Sequence, residues 1–189
     1  MAGSARGRRL AVPPGASTRP TSDRAREGLF STLESMLHSL AGARVLDLFA
    51  GSGAVGLEAA SRGAAHVLLV ESDPRAVRTL RANAAAVATG QLEVRADRVL
   101  RVVDGGPPPS PYDVVFLDPP YGMPDGDVHT VLDALRDHRW LRPGSLVIVE
   151  RASRDGAWRW PLGYRADRSR RYGEATLWYG RAAGPASEE

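Results

Sequence analysis

The chain has 189 residues, of which 43% are hydrophobic, and a formal net charge of +3, and this length suits one α/β domain with a buried sheet. It contains no cysteine and four histidines, so a disulfide framework and a thiolate metal site are excluded and no metal centre is expected. No apolar run approaches the ~20 residues of a membrane span, the arginine-rich start lacks the apolar core of a signal peptide, and we expect a cytoplasmic protein.

The first segment is too rich in Gly, Pro and Arg to pack a core of its own, and we interpret residues 1–20 as a basic arm. A helix follows, with Thr21 or Ser22 as its cap, Asp23 in its first turn and its end at Gly42. Its apolar residues recur at helical spacing: Leu29, Phe30, Leu33, Met36, Leu37 and Leu40.

The stretch 45–56, VLDLFAGSGAVG, joins an apolar run to a glycine-rich turn and a helix of small residues. It predicts a strand, a tight loop and a helix N-terminus. Gly51 and Gly53 can adopt positive φ and let a ligand approach the backbone, and the first N–H groups of the helix have no partner inside it. A nucleotide-like ligand would fit such a loop. The candidate contacts here are Asp47, Ala50, Gly51, Ser52 and Gly53.

The same letters match the G-x-G-x-x-G pattern of dinucleotide-binding proteins, with Glu71 lying 20 residues after Gly51. Asp47 argues against a pyrophosphate, because it would place a carboxylate in the strand that leads into the loop. A cationic ligand such as S-adenosylmethionine, with its ammonium and sulfonium, gains from that carboxylate. The residues therefore favour S-adenosylmethionine and leave a NAD-dependent dehydrogenase as the weaker alternative.

Strands and helices alternate through the rest of the chain. Strands are predicted at residues 67–70, 92–95, 114–117 and 146–149, with a helix from Asp73-Pro74 to Gly90, another marked by Val128, Val131, Leu132 and Leu135, and a proline-rich loop at 105–111. Alternation of this kind implies a mostly parallel sheet. Residues 164–168 and 175–179, with a turn at 170–173, should close it as an antiparallel hairpin.

Acidic residues follow the predicted strands, at the sheet edge where open α/β sheets bind their ligands. Glu71, followed by Ser72, is placed to accept hydrogen bonds from both hydroxyls of a ribose. Asp97 could accept the adenine amino group, with Arg98 contacting the ligand through its backbone. The alternative for Asp97 is that it only caps the next short helix.

The most specific signal is Asp118-Pro119-Pro120-Tyr121, which follows a buried strand. The two prolines fix the backbone so that carbonyl and carboxylate acceptors point the same way, which suits an exocyclic amine. Asp118 and the Pro119 carbonyl would hold the two hydrogens of that amine and stabilise the positive charge that develops during methyl transfer. Tyr121 would stack on the base.

These segments resemble, in order, the successive motifs of class I S-adenosylmethionine-dependent amino-methyltransferases. They are residues 47–53, Glu71, Asp97 and residues 118–121, and the match runs nearly end to end. The resemblance implies a single Rossmann-like class I methyltransferase domain, with a mostly parallel seven-stranded sheet and a C-terminal antiparallel hairpin. It also implies S-adenosylmethionine as the cofactor.

More narrowly, residues 6–10 and 19–27 resemble the RsmD family, which methylates a guanine N2 of small-subunit ribosomal RNA, and residues 171–173 fit its C-terminal strand pair. In that family the Arg-Pro-Thr segment lies beside the cofactor, so the resemblance implies that Thr21 lies near the methionine end. Family members usually carry a further strand before the first glycine, and here it is missing or shortened. We expect an arm over 1–20, a methyltransferase domain over 21–182 and a flexible tail over 183–189.

Charge is spread unevenly along the chain. Residues 1–26 hold six arginines and one acid, residues 27–150 hold 11 arginines and 16 acids, and residues 151–172 hold seven arginines and two acids. An acidic middle between basic segments suits a cationic cofactor in the core and a polyanion held at the ends. The candidate RNA contacts in the arm are Arg6, Arg8, Arg9 and Arg19. We expect a monomer whose partner is ribosomal RNA, within the small subunit or its precursor.

Two further alternatives remain open. An adenine-N6 methyltransferase acting on DNA or RNA would use the same Asp-Pro-Pro-Tyr chemistry, and only the N-terminal resemblance separates it from a guanine enzyme. A non-catalytic RNA-binding protein would keep the basic ends without needing Asp118.

Overall fold

The structure, a computed structural model, describes residues 1, 3, 7, 10–11, 23–87, 91–120 and 122–184, without the side chains of Asp23 and Gln91. The five helices of this part of the chain are α1 (Asp23–Leu37), α2 (Ala54–Ser61), α3 (Pro74–Val87), α4 (Val99–Asp104) and α5 (Asp125–Asp137). The strands are β1 (Arg44–Leu48), β2 (His66–Glu71), β3 (Gln91–Ala96), β4 (Tyr112–Leu117), β5 (Leu141–Ala152), β6 (Tyr164–Tyr172) and β7 (Ala175–Ala182). The predicted division into arm, domain and tail stays a prediction, because most of the arm and residues 185–189 lie outside the described residues.

The seven strands form one sheet in the order β3-β2-β1-β4-β5-β7-β6. Strands β1 to β5 run parallel to one another, whereas β7 runs antiparallel to both β5 and β6. The predicted mostly parallel seven-stranded sheet with a C-terminal antiparallel hairpin is therefore confirmed. The chain moves outward from β1 to β3 and then returns to place β4 on the other side of β1. The carboxyl ends of β1 and β4 therefore meet at the point where the strand order reverses, where open α/β sheets bind ligands.

The sheet is buried on both faces. Strands β1, β2 and β4 consist almost wholly of buried residues, as expected for parallel strands covered by helices on both sides. Helices α1, α2 and α3 cover one face, and its core includes Leu29, Phe30, Leu57, Leu80 and Tyr179. Helices α4 and α5 cover the other, and its core includes Leu48, Val103, Leu132, Trp140 and Val149. No helix among the described residues is long and apolar enough to cross a membrane.

Several predicted boundaries differ from the structure, among them the start of β5, which lies at Leu141 instead of residue 146, the end of the first helix and the hairpin turn. The first helix ends at Leu37 instead of Gly42, because His38 takes a left-handed φ of 63°. Gly42 instead forms the turn before β1, where its N–H donates to the Gly63 carbonyl at 3.0 Å. The hairpin turn lies at residues 173–174 instead of 170–173, because β6 continues to Tyr172, which packs against the α1 side of the core.

The contact between α1 and the hairpin depends on Gly28. A Cβ at this position would lie within 2.6 Å of the Tyr172 ring atom Cε1, which is closer than van der Waals contact allows. The glycine therefore lets the edge strand β6 pack its last side chain directly on the helix backbone.

We expect Gly28→Ala to lower the free energy of unfolding by about 1–2 kcal/mol, because overlap with Tyr172 outweighs the helix propensity gained. The matched control is Gly126→Ala in α5, where an added Cβ meets nothing within 4 Å. This control should be neutral or should stabilise the protein by about 0.5–1 kcal/mol. Chemical denaturation of both variants measures the difference, and equal stabilities would contradict the packing argument.

Candidate active site

The glycine-rich loop, defined as residues 49–53, connects β1 to α2 at the carboxyl edge of the sheet. Three of its residues have positive φ: Phe49 at 63°, Gly51 at 56° and Gly53 at 83°. The loop is fixed by backbone bonds, with the Ala50 N–H donating to Val70 at 2.9 Å and the Gly53 N–H donating to Ala50 at 2.7 Å. The predicted strand, tight loop and helix N-terminus are therefore confirmed.

The two predicted glycines of the loop serve different purposes. A Cβ on Gly51 would meet no atom within 4 Å, so this residue borders open space at the carboxyl edge of the sheet. A Cβ on Gly53 would overlap the Leu80 side chain of α3. Gly53 is therefore required for packing α2 against α3, and Gly51 is the glycine beside which a ligand can approach the backbone.

Glu71, at the end of β2, is held by three backbone N–H groups. Its Oε2 accepts from Gly51 at 2.8 Å, and its Oε1 accepts from Ser72 at 2.7 Å and from Asp73 at 2.8 Å. A carboxylate offers about four acceptor positions, so about one remains, on Oε2. The Glu71 side chain is thus joined to the glycine-rich loop. To accept hydrogen bonds from both hydroxyls of a ribose, Glu71 would have to lose one of its three hydrogen bonds to backbone N–H groups.

Asp47 lies in β1 and is 2% exposed. Its Oδ2 accepts a hydrogen bond of 2.8 Å from the Gly56 N–H in the first turn of α2. Burial raises the pKa of Asp47 to about 7 against the opposing effect of this bond, and the carboxylates of Asp118 and Glu71 add to the rise. Asp47 therefore fastens the helix to the strand, and its direct contact with a ligand stays a prediction.

Asp118 follows β4 and lies beside the loop, since its N–H donates to the Leu48 carbonyl at 3.4 Å. Pro119 is buried and Pro120 is exposed. These three residues line a cleft that opens to solvent, which we call the Asp-Pro-Pro cleft. Its other lining residues are Gly122, Glu150, Arg151, Ala152, Asp155 and Ala175.

Arg151, which the sequence analysis missed, fixes the segment after the Asp-Pro-Pro residues. Its side chain is 9% exposed, and Nη2 donates to the Met123 carbonyl and to Asp125 Oδ1, both at 2.8 Å. Since Arg151 belongs to β5, these bonds tie the start of α5 and the preceding loop to the sheet. A single arginine among 25 gives no sequence signal of such a contact.

Asn83 of α3 is the second residue that was missed. It is 4% exposed, and its Nδ2 donates to the carbonyls of Ser52 and Ala11, both at 3.0 Å, while its Oδ1 accepts from the Ala11 N–H at 2.8 Å. It therefore joins the glycine-rich loop to the segment that precedes α1. The signal was present, because Asn83 stands at an apolar position of a helix that buries Val77, Leu80 and Val87.

Asp97 lies after β3, two strands away from β1. Its Oδ1 accepts from the Arg98 N–H at 2.7 Å and lies 3.6 Å from the Arg101 guanidinium. Arg98, and not Asp97, is the N-cap residue of α4, so the alternative capping role of Asp97 is wrong. The Ser72 and Arg98 N–H groups both donate to neighbouring carboxylates.

The remaining predicted residues lie outside the described residues. They are Arg6, Arg8, Arg9, Arg19, Thr21 and Tyr121. Within the described ranges, no group of three or more His, Asp or Glu side chains could hold a metal ion.

Comparison with known proteins relates the chain to methyltransferases. The family described as conserved hypothetical protein 95 matches residues 1–181. Ribosomal RNA small subunit methyltransferase D of Escherichia coli K12 is 37% identical over 157 residues, which cover 82% of this chain and 75% of that protein. The solved structure of yhhF from Escherichia coli aligns with a TM-score of 0.82 at 31% identity and covers 97% of both chains.

A more distant structure shows how widely the fold is shared. The RNA methyltransferase from Salinibacter ruber, solved in complex with S-adenosyl-L-homocysteine, aligns with a TM-score of 0.66 over 90% of this chain and 98% of that one. The two chains are 18% identical, so this likeness concerns the fold alone.

The raised pKa of Asp47 predicts a pH dependence of stability. Between about pH 4, the pKa of an unfolded Asp, and about pH 7, the folded state holds a proton that the unfolded state has lost, so stability falls as pH rises through this window. Asp47→Asn cannot titrate but can still accept from Gly56. We therefore expect its stability relative to wild type to increase from about pH 4 to pH 7 and to stay level above.

Urea denaturation at several pH values measures this difference. The control is Asp137→Asn, since Asp137 is an exposed carboxyl whose pKa is lowered by its hydrogen bond with Arg136. Its effect should be confined to acid pH and should not change between about pH 5 and pH 8. If the free energies of unfolding of wild type and Asp47→Asn change in parallel between about pH 4 and pH 7, Asp47 is ionised over this whole range.

Proposed function

The chain belongs to the family described as conserved hypothetical protein 95, and from that premise we propose that it transfers a methyl group from S-adenosylmethionine to the exocyclic N2 amine of a guanine in small-subunit ribosomal RNA. Methylation of ribosomal RNA is supported by the names of curated relatives such as that of Escherichia coli K12. The guanine N2 target is supported by the resemblance of the N-terminal segments to the RsmD family. The observation that carries the proposal is the position of Asp118-Pro119-Pro120 beside the glycine-rich loop.

The residues around the loop fit S-adenosylmethionine. Open space borders Gly51, and Glu71 keeps an acceptor position on a carboxylate that three backbone bonds hold in place. The pKa of Asp47 is raised mainly by burial, and the carboxylates of Asp118 and Glu71 lie close enough to add to the rise, so this edge of the sheet favours a cation. The sulfonium of the cofactor supplies an activated methyl group. In this proposal Glu71 holds the ribose and Asp97 holds the adenine.

Asp118 and the Pro119 carbonyl act on the substrate amine. Each acceptor receives a hydrogen bond from one N–H of the amine, so the nitrogen lone pair is directed away from them. The two acceptors also stabilise the positive charge that develops on the nitrogen. The methylated amine then releases one proton to water, so no general base is required. No histidine lines the described part of the Asp-Pro-Pro cleft. Stacking of Tyr121 on the base stays a prediction.

The edge strand β6 offers a surface for the RNA backbone. Arg165, Arg168 and Arg170 pair with β7 residues on the α1 side of the sheet, all three are exposed, and we call them the β6 arginines. Arg168 lies 3.2 Å from Asp167, whereas Arg165 and Arg170 have no ion pair with any described residue. The strand ends at Tyr172, which pairs with Ala175 of the cleft wall.

Exposed arginines on an extended strand suit phosphates, which attract cations regardless of sequence. Arg168 and Arg170 are alternate residues of the strand, about 6.6 Å apart on one face, and the register shift between Ala166 and Arg168 brings Arg165 to the same face. The β6 arginines therefore form a row that leads toward the cleft. They would act together with the basic arm, whose Arg6, Arg8, Arg9 and Arg19 stay predictions. The proposed partner is ribosomal RNA of the small subunit or its precursor, and the proposed site of action is the cytoplasm.

The function is tested by mapping modified nucleotides in ribosomal RNA from a strain that lacks the gene. We expect one N2-methylguanine of small-subunit RNA to disappear in this strain and to return when the gene is restored. An unchanged set of N2-methylguanines would contradict the proposal. The loss of an N6-methyladenine in its place would identify the adenine enzyme.

We expect Asp118→Ala to fail to restore the modification and, in vitro, to lower kcat by about two orders of magnitude or more, as the loss of a transition-state acceptor does. Affinity for S-adenosylmethionine should stay nearly unchanged, because Asp118 is assigned to the amine. Single-turnover methylation and calorimetry separate the two effects. Normal turnover at saturating RNA would remove Asp118 from the assigned role.

The β6 arginines are tested by the double variant Arg165→Gln/Arg170→Gln. We expect weaker RNA binding and a salt dependence that is flatter by roughly 0.7–0.9 log units per lost phosphate contact, with cofactor affinity unchanged. The control is Arg81→Gln/Arg139→Gln, which removes two exposed arginines from other surfaces. Titrations at several salt concentrations compare them, and equal slopes for the two double variants would show that β6 does not touch the RNA.

A further inference from the structure

A second carboxylate lies next to Asp118 in the Asp-Pro-Pro cleft. Leu117 of β4 pairs with Val149 of β5, so Asp118 and Glu150 are the next neighbours in the same register. Adjacent strands lie about 4.8 Å apart, which brings the two residues side by side. Both line the cleft, and Glu150 is 5% exposed.

The two side chains leave the sheet on the same face. Phe116 and Ile148 both belong to the core beneath α1 and α2, whereas Leu117 and Val149 belong to the opposite core. Since side chains alternate along a strand, Asp118 and Glu150 both point toward the α1 and α2 side. The cleft therefore has two carboxylates in a row along the sheet edge, in the order β4 then β5.

The proposed methyl transfer uses only one of these carboxylates. Asp118 and the Pro119 carbonyl account for the two hydrogens of the amine, and Glu150 has no part in that step. Its position on the wall of the cleft, next to Asp118, places it beside the base whose amine Asp118 holds.

We propose that Glu150 accepts the N1–H of the target guanine and so makes the cleft specific for guanine. This inference rests on the proposed function, because it concerns the base whose N2 is methylated. On the Watson–Crick edge of guanine, the N1–H donor stands directly beside the N2 amine. Two adjacent acceptors, Glu150 and Asp118, match these two adjacent donors.

The same contact selects against adenine. The N1 of adenine is an acceptor, so its lone pair would face the Glu150 carboxylate with no proton between them. A buried site that is built to bond a substrate donor discriminates strongly against an analogue that lacks the donor, because the group of the site is left without its partner. The Asp-Pro-Pro residues alone accept any exocyclic amine, so Glu150 is the residue that selects the base.

The test uses the RNA whose target nucleotide has been mapped, with 2-aminopurine in place of that guanine. This base keeps the 2-amino group and lacks the N1–H. For the wild-type protein we expect kcat/KM to fall by about 100-fold or more on the 2-aminopurine RNA. Glu150→Gln should reduce the discrimination to about 10-fold or less, because its amide can donate to the unprotonated N1 of 2-aminopurine.

Glu174→Gln is the matched control, because it makes the same substitution at an exposed residue of the β6–β7 turn, at the same end of the sheet. This control should keep the wild-type ratio of kcat/KM on guanine RNA to kcat/KM on 2-aminopurine RNA. Glu150→Met is a second variant without a polar group, and it should lower kcat/KM on guanine RNA far more than on 2-aminopurine RNA. Calorimetry with S-adenosylmethionine checks that each variant is folded.

The inference is overturned if the wild-type protein methylates both RNAs equally well, or if the Glu150 variants keep the wild-type ratio. Failure of the proposed function gives a different result, namely no methylation of the guanine RNA by the wild-type protein. A general loss of rate that leaves the ratio of the two substrates unchanged would assign Glu150 a structural role only.

Discussion

The candidate site depends on the buried hydrogen bond between the Asp47 carboxylate and the Gly56 N–H. This bond sets how closely α2 approaches β1, and it is possible only because Gly56 has no side chain. A Cβ there would lie 3.0 Å from Asp47 Oδ2 and 2.7 Å from the Leu69 side chain. With the helix held at this distance, the loop between strand and helix is too short for ordinary backbone conformations. Three of its five residues consequently adopt positive φ.

Four carboxylates gather at one edge of the sheet, and their surroundings separate their roles. Asp47 is buried against a helix, Glu71 is fixed by three backbone bonds, and Asp118 and Glu150 line the Asp-Pro-Pro cleft. Mutual repulsion among them opposes folding, and a bound cation would relieve it. Relief of this repulsion therefore adds to the free energy of ligand binding. Strongly perturbed ionisable groups of this kind are common at functional sites.

The sequence predicted those parts of the fold that local patterns determine. The glycine-rich loop was found because its backbone conformations favour glycine, and the parallel sheet was found because its strands are continuous apolar runs. The end of α1 was missed because the left-handed conformation there is taken by His38 and not by a glycine, which would have marked the end in the sequence. Arg151 was missed because its bonds reach residues distant in the chain, where no local pattern records them. Asn83 left a local signal, a polar residue at an apolar position of α3, but its partners Ser52 and Ala11 are also distant in the chain.

The composition of β6 has a consequence for the folded chain in solution. As the last strand of the sheet, β6 has one side without a neighbouring strand in the described structure, and such edges can pair with the edge of another molecule and start aggregation. Four of the nine residues of β6 are arginines, so an approaching second copy would bring like charges together along the strand. Repulsion between these like charges protects the edge, so the same side chains that suit an RNA backbone also keep copies of the protein apart.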